Sequence, residues 1–228
     1  MRQEQKPDSI SESAWHTRHQ LHEDFASREP LAGFVVIPNF LTDELFREVQ
    51  EFARNVSMRR YCVYSRTGSV TDLEKGFCEP HPDFYYLTTH SRMFEWHGLP
   101  SHIERLVSSP DMIEYLSNLS GISLTGHQIP GTLTGWNAGD FLGEHCDEGD
   151  SNRPNKLVIS LSLTSDWNSE YGGTTHYKWT GGKQEVVIMP TGNVATVFAP
   201  GEHSVHWVSP IAANAPTGRR YTWTLDYF

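Results

Sequence analysis

The chain is poor in three things, and each shortage narrows what it can be. Cysteine occurs only at positions 62, 78 and 146. An odd number at those spacings matches no disulfide framework and no zinc motif, so isolated thiols in a reducing compartment are expected. Cations are outnumbered, with 18 Lys and Arg against 28 Asp and Glu and a formal net charge of −10. A surface that tracks phosphates needs clustered Lys and Arg to displace counterions, so nucleic acid is not an expected partner. Long apolar runs are missing too, none approaching the roughly 20 residues that cross a bilayer. The first 13 residues are polar rather than signal-like. No membrane association and a cytoplasmic location are the expectations.

What is present is enough for one well-filled core. The chain has 228 residues, 37% of them hydrophobic and 12% aromatic, a size at which single β-rich domains are common. Residues 1–13 are expected to be a disordered tail and 14–228 one domain, with helical support and a lid region over 14–121 and a β core over 122–228. The spacing predicts a helix over 14–27, a short buried strand over 33–40 and a helix capped by Thr42, with Leu45, Phe46, Val49, Phe52 and Val56 on one face. Residues 57–100 are aromatic-rich and punctuated by Gly and Pro, which reads as an irregular functional loop. Ser109 and Pro110 open a further helix, with Ile113, Leu116 and Leu119 inward and Gly121 as its stop. Beyond 122 the texture changes to strands, expected at 124–136, 141–146, 156–164, 174–179, 185–189, 193–199, 203–209 and 219–227. That number closes a two-sheet jelly roll with N-terminal supporting helices, an α+β fold that is mainly β.

The chemistry lies in this second half. In Gly143-Glu144-His145-Cys146-Asp147, residues i and i+2 of a strand share a side, so the His145 imidazole and the Asp147 carboxylate converge. Two of the three protein ligands of ferrous iron in a 2-His-1-carboxylate site have this chemistry. The spacing alone is not specific, because 12 histidines and 11 aspartates produce about 0.6 His-x-Asp matches by chance. Three occur. His22/Asp24 sits in helical texture, where i and i+2 do not share a face, and His81/Asp83 is split by Pro82. Only His145/Asp147 has strand texture, a preceding turn at Asn137-Ala138-Gly139-Asp140 and histidines downstream.

Those histidines are His203 and His206, which face opposite sides of a strand, so one of them is a spectator. In the last strand the bulky apolar residues are 221, 223, 225 and 227. Arg220, Thr222 and Thr224 therefore share the other, inward face. A guanidinium beside a hydroxyl is a good receptor for a carboxylate. His127 and His176 lie on or beside barrel strands and read as hydrogen-bonded barrel histidines, or as contacts to a ligand or substrate. His16, His19 and His22 read as a solvated helix face.

Taken in order, these segments carry a family resemblance. They are Gly139-Asp140-Phe141-Leu142 ahead of His145-x-Asp147, Asp166-Trp167, Gly172-Gly173, Pro190-Thr191-Gly192-Asn193, His206-x-Val208-x-Pro210-Ile211 and Arg220-Tyr221-Thr222, with Phe34 to Leu41 as a lead-in. The stretch from about 131 to 228 resembles the iron and 2-oxoglutarate dependent oxygenases, most of all the prolyl-hydroxylase-like branch. The resemblance implies a double-stranded β-helix with Fe(II) at its open end and 2-oxoglutarate chelating the metal through its C1 carboxylate and keto oxygen. It selects His206 as the distal ligand through the Val and Pro that follow, and matches Arg220 to the residue that anchors the co-substrate. Thr222 corresponds to a hydroxyl residue that helps hold the C5 carboxylate. Trp136 stands where many members have tyrosine, and Ser160 or Ser162 where some have a tyrosine that contacts 2-oxoglutarate. Trp136 and Ser162 are therefore further candidate co-substrate contacts.

The activity so implied is hydroxylation of an unactivated C–H bond with O₂, succinate and CO₂ being released and ascorbate serving as a reductant. Asp147 argues against halogenation, because the related halogenases have a small residue there. Desaturation, cyclisation and epoxidation use the same ligands. The aromatic and arginine-containing segment 57–100 is expected to cover the barrel mouth, with Arg59, Arg60, Tyr64, Arg66, Tyr85, Tyr86, Arg92 and Trp96 as the pool of substrate contacts. Such a wall suits a small amphipathic molecule bearing a carboxylate: an amino acid, a peptide or a biosynthetic intermediate. Prolyl hydroxylation of a protein is the alternative. A cupin-like dioxygenase of other chemistry and a non-catalytic jelly-roll binding module are the competing classes.

Overall fold

The computed structural model describes residues 6–27, 33–64, 69–72, 87–92, 100–125, 127–147, 149–150, 153–179, 185–201 and 204–228, with side chains for all of these except 59–64, 69–72, 87–92, 127–130, 149–150 and 153. Order begins earlier than the polar composition predicts. Ile10 is fully buried and bridges Leu41, and the Ser11 amide donates to the Phe40 carbonyl at 3.0 Å. One apolar anchor among polar residues is enough to seat this segment.

Two helices, α1 (Glu12–His16) and α2 (Arg18–Ser27), replace the single one expected. The Thr17 hydroxyl between them donates to the Ser13 carbonyl at 2.9 Å, the local bond by which threonine competes with helix continuation. After β1 (Phe34–Pro38) comes α3 (Asp43–Asn55), whose N-cap Thr42 accepts from the Leu45 amide; Leu45, Val49 and Ala53 form its buried stripe. The segment 57–100 departs from the irregular loop expected. It contains β2 (Arg59–Tyr64), β3 (Ser69–Asp72) and β4 (Leu87–Arg92), an antiparallel set. The run Leu87-Thr88-Thr89-His90-Ser91-Arg92 has no apolar alternation, so its strand character leaves no period to read. A short helix that the sequence pattern did not reveal, α4 (Ser101–Val107), leads into α5 (Pro110–Ser120). The latter has its expected Ser109 cap and left-handed Gly121 at φ 70°. Its buried face is Met112, Tyr115, Leu116 and Leu119, with Ile113 only partly covered.

The remaining strands are β5 (His127–Trp136), β6 (Leu142–His145), β7 (Gly149–Asp150), β8 (Arg153–Pro154), β9 (Leu157–Ser162), β10 (Thr175–Trp179), β11 (Glu185–Ile188), β12 (Val194–Phe198), β13 (Ser204–Val208) and β14 (Arg220–Tyr227). They form a large sheet in the order β1-β12-β9-β14-β5-β4-β2-β3, a small one in the order β11-β10-β13-β6, and the hairpin β7-β8. From β9 onward the chain passes back and forth between the two sheets, and β12, β9, β14 and β5, neighbours in the large sheet, are distant in sequence, which is the wrapping of a double-stranded β-helix. Among the described residues no helix is long and apolar enough to cross a membrane.

Strand parity divides the large sheet. Leu157, Ile159, Leu161, Ala195, Val197, Tyr221, Trp223, Leu225 and Tyr227 pack in one core with Leu45, Val49, Ile103, Leu116 and Leu119 of the helices. Strand neighbours on the inward side are hydroxylic. One rung aligns Thr134, Thr222 and Ser162; the next aligns Thr132, Thr224, Ser160 and Thr196. An apolar inner cluster of Phe34, Val158, Tyr177 and Phe198 lies beyond them.

Candidate functional site

The small sheet brings together the three residues singled out as iron ligands. His145 ends β6 and lies opposite His206 of β13 in the strand register, their ring centroids 4.0 Å apart. Asp147 falls past the strand end rather than on it, yet its carboxylate reaches both rings. Oδ1 lies 3.4 Å from His145 Nε2 and Oδ2 lies 3.2 Å from His206 Nε2. One ligand atom from each residue lies within 4.8 Å of the others, the one such group among the described residues. The main chain at Asp147 is held by Asn155 Nδ2, which donates to its carbonyl at 3.0 Å and to Asp226 Oδ1 at 3.1 Å. His145 Nδ1 donates to the Gly143 carbonyl at 2.9 Å, and that bond turns Nε2 toward Asp147 and the centre. His203 lies outside the described residues.

The three groups titrate as a unit. Burial opposes a charge on Asp147, but attraction to His206 and hydrogen bonds from both histidines hold its pKa well below the usual carboxylate range. Burial also opposes the His145 cation, yet bonding and attraction to Asp147 lift its pKa above the usual value. Burial and the charge of His145 push His206 down. The three groups are thus coupled, with a proton favoured on His145 beside the Asp147 carboxylate. Two imidazole nitrogens and one anionic oxygen converging from one side are the donor set that ferrous iron takes with other positions left open, so these residues fit the metal.

Across the interior from the triad, Arg220 is buried, with 1% of its surface exposed. Its Nε donates to the Gly173 carbonyl at 2.9 Å, its Nη1 donates to Thr222 Oγ1 at 3.3 Å, and its guanidinium lies 4.6 Å from the centre of the Trp136 ring. No carboxylate pairs with it among the described residues, and burial lowers it to about 9, so it is still charged at neutral pH. A buried cation without an anion is costly unless a ligand supplies one. Trp136 donates through Nε1 to Thr134 Oγ1 at 3.0 Å, so its ring acts as a platform under the guanidinium. Ser162 lies beside Thr222 in the strand register, and its hydroxyl accepts from the Thr164 amide at 3.4 Å.

Several residues quoted for the family resemblance prove to be scaffold. A Cβ on Gly172 would lie 2.3 Å from the Pro210 carbonyl oxygen, and one on Gly173 3.0 Å from Arg220 Nε; both have positive φ. The pair is therefore a cradle that only glycine can form. Trp167 Nε1 donates to the Gly172 carbonyl at 2.8 Å and holds it shut. Asp140 is wholly buried and accepts from the Asn137 amide at 2.7 Å, while its own carbonyl accepts from Ile211 at 3.0 Å. Asn193, at φ 59°, clamps the chain at Leu41 through bonds to both its amide and its carbonyl at 2.9 Å.

The other histidines separate cleanly. His176 neighbours the inward Tyr177 on β10 and so faces outward, stacked on Trp207 at 4.9 Å and bonded to Thr174 Oγ1 at 2.9 Å and to Glu185. It is a hydrogen-bonded barrel histidine on the side away from the triad. His127 pairs with Tyr227 at the opposite end of β5 from Trp136, its side chain outside the described ones. His16, His19 and His22 are exposed. The substrate pool Arg59, Arg60, Tyr64, Arg66, Tyr85, Tyr86, Arg92 and Trp96 lies outside the described side chains. The sequence reading missed Tyr177, whose ring stacks on His206, and Asn155, which fixes the main chain at Asp147. Parity from the Gly172-Gly173 turn along β10 was the signal available for the first, and nothing local marks the second.

No protein-family model matches the sequence, and no curated protein does. Solved structures do. A prolyl-4-hydroxylase from Pseudomonas putida aligns over 92% of this chain and 98% of its own, at 17% identity and a TM-score of 0.63. A prolyl hydroxylase from Trichoplax adhaerens, in complex with a hypoxia inducible factor oxygen degradation domain peptide fragment, aligns over 96% and 93%, at 18% identity and a TM-score of 0.66. The non-haem α-ketoglutarate dependent epimerase of nogalamycin biosynthesis aligns over 92% and 81%, at 15% identity and a TM-score of 0.61. The chain has the double-stranded β-helix fold of the prolyl-hydroxylase-like 2-oxoglutarate oxygenases.

Proposed function

We propose that the protein is an iron(II) and 2-oxoglutarate dependent oxygenase that hydroxylates an unactivated C–H bond of a small molecule and releases succinate and CO₂. The observation that carries this reading is the pairing of the His145, Asp147 and His206 donor set with a buried Arg220 that has no carboxylate partner among the described residues, across rungs of hydroxyls. Ferrous iron bound there supplies activation of O₂ coupled to decarboxylation of the 2-oxo acid, with ascorbate keeping it reduced. The protein's own part is to hold and orient. His145 and His206 offer neutral nitrogens, and Asp147 offsets part of the metal's charge. Arg220 receives the C5 carboxylate through its guanidinium fork, Thr222 and Ser162 line the same end, and the Trp136 ring keeps the fork flat. The hydroxyl rungs solvate the co-substrate without admitting bulk water to the reacting end.

The substrate class rests on the acidic, compact chain, which offers no general docking patch for a protein. A prolyl residue of a protein is the second reading, favoured by the complex of the Trichoplax enzyme of this fold with a peptide fragment of an oxygen degradation domain. Desaturation, cyclisation and epoxidation would use the same residues. A cytoplasmic setting, where thiols stay reduced, suits both ferrous iron and the three cysteines. Purified protein given Fe(II), ascorbate and 2-oxoglutarate should release succinate slowly without any substrate and develop a visible band that requires 2-oxoglutarate. Absence of both would leave a binding module or a dioxygenase of other chemistry. Incubation with cell extracts should yield a small metabolite that has gained one oxygen or lost two hydrogens; a modified protein instead, with no shift in small metabolites, would select the second reading.

A further inference from the structure

The two histidines of the triad are oriented by different means. His145 is fixed by a hydrogen bond from Nδ1 to the Gly143 carbonyl. His206 Nδ1, by contrast, is buried with no hydrogen-bond partner among the described residues. A metal-binding imidazole nearly always has its second nitrogen held by a carbonyl, a carboxylate or water, because an unheld ring can turn its donor away. What surrounds His206 instead is aromatic. The Tyr177 ring lies nearly parallel to it at 5.4 Å and 17°, and Phe198 meets it edge-on at 5.2 Å.

Tyr177 is itself unusually well fixed. It is 2% exposed and lies opposite His206 in the strand register of the small sheet. From there it reaches across the interior toward Ser160 and Thr196, neighbours on one rung of the large sheet. Phe34 packs against its other flank at 4.9 Å. The ring is thus a strut between the two sheets, with one face laid on the imidazole.

We infer that Tyr177 is the positioning residue for His206, holding the imidazole in its metal-binding orientation by stacking in place of the missing hydrogen bond, with Ser160 and Thr196 as its anchor. The inference rests on the reading of His206 as a ligand. It predicts that the strut governs metal affinity and ligand-field geometry as well as stability.

Co(II) is a suitable probe, since its visible bands report ligand geometry without turnover. Tyr177→Leu in the full chain should weaken Co(II) binding about 10–100-fold and shift those bands. Tyr177→Phe keeps the ring and should fall between Leu and the native protein. Phe40→Leu trims a buried aromatic ring from the helix-covered core, away from both Tyr177 and His206, and should lower thermal stability while leaving affinity and bands as they were. If Tyr177→Leu does not fold, Ser160→Ala with Thr196→Val releases the hydroxyl and should give a smaller loss in the same direction. Affinity and bands matching those of Phe40→Leu in Tyr177→Leu, or unchanged in the double variant, would overturn the inference. A native protein that binds no Co(II) would overturn the function proposed above instead.

Discussion

The two sheets of the β-helix face each other across one interior but have different tasks. The large sheet is covered on its outer side by helices, and that contact contains most of the buried apolar residues. Among the described residues the small sheet has no such cover. His176, Trp207 and the half-exposed Val187 align across its outer face in the strand register, and two of the three proposed metal ligands lie on its strands, with Asp147 just past the end of β6. The fold thus places its stability in one sheet and the proposed metal site on the other. Arg220 is the exception, a charged group of the large sheet proposed to serve that site.

The sharpest break of this contrast compares Asp147→Ala with Leu161→Ala. Removing Asp147 takes away the anion that both histidines address, so metal binding should vanish and turnover fall about 10³-fold or more, with the melting temperature little changed. Leu161 is fully buried under the helices. Its loss should cost about 2–5 kcal/mol, lowering the melting temperature by roughly 2–4 °C per kcal/mol, while the folded fraction binds metal as before. Calorimetric melting and metal titration of both variants test the division directly.

Arg220→Met tests the exception. A buried cation without an anion destabilises the ligand-free protein, so its replacement by an apolar chain should raise stability by about 1–3 kcal/mol. The loss of affinity for 2-oxoglutarate should be larger, about 2–5 kcal/mol, since the co-substrate's carboxylate loses its partner. A variant that melts lower and still binds 2-oxoglutarate would remove Arg220 from the site.

Acidity gives a smaller, graded effect. Asp147 is held well below the usual range and His206 is pushed down, so neither gains a proton near neutrality. His145 is raised above 6.5 and does. Metal must displace that one proton, so affinity should fall about tenfold per unit as pH drops below the His145 value, the slope of one group rather than two. The metal-free protein moves the other way. A raised histidine contributes stability that is complete below 6.5 and lost as pH rises through the folded value. Titrations at stepped pH that show no slope, or a slope of two protons, would contradict this assignment.

How much of this was legible in the sequence depends on the kind of signal. The sheet core was readable because β14 alternates Tyr221, Trp223, Leu225 and Tyr227 with Arg220, Thr222 and Thr224, and the parity put Arg220 inside. The caps Thr42 and Ser109 and the stop at Gly121 were readable because their chemistry is local. The strand β4 within 57–100 was not, because the run after Leu87 is polar on both parities. Ile10 escaped because one apolar residue has no period. The site divided in the same way. His145 and Asp147 announce themselves by spacing, whereas Tyr177 reaches His206 through pairing between strands 29 positions apart, and Gly173 acts by what it lacks. Choosing His206 over His203 needed a resemblance; strand parity shows only that the two cannot share a side.

The smallest effect expected tests the other half of the contrast, the outer face of the small sheet. His176 sits one residue from the strut Tyr177, and its side chain retains 18% exposure and bonds to Thr174 and Glu185. If a residue's part in the chemistry were set by closeness in sequence, His176→Ala would harm the enzyme. Strand geometry says otherwise, since adjacent side chains lie on opposite faces and the stack with Trp207 is on the outside. The substitution should cost about 1 kcal/mol for the lost hydrogen bonds and leave metal affinity and the rate of succinate release unchanged. A loss of metal affinity in that variant, with the melting temperature preserved, would mean that the small sheet transmits its outer packing to the triad, and the separation of stability from chemistry between its faces would not hold.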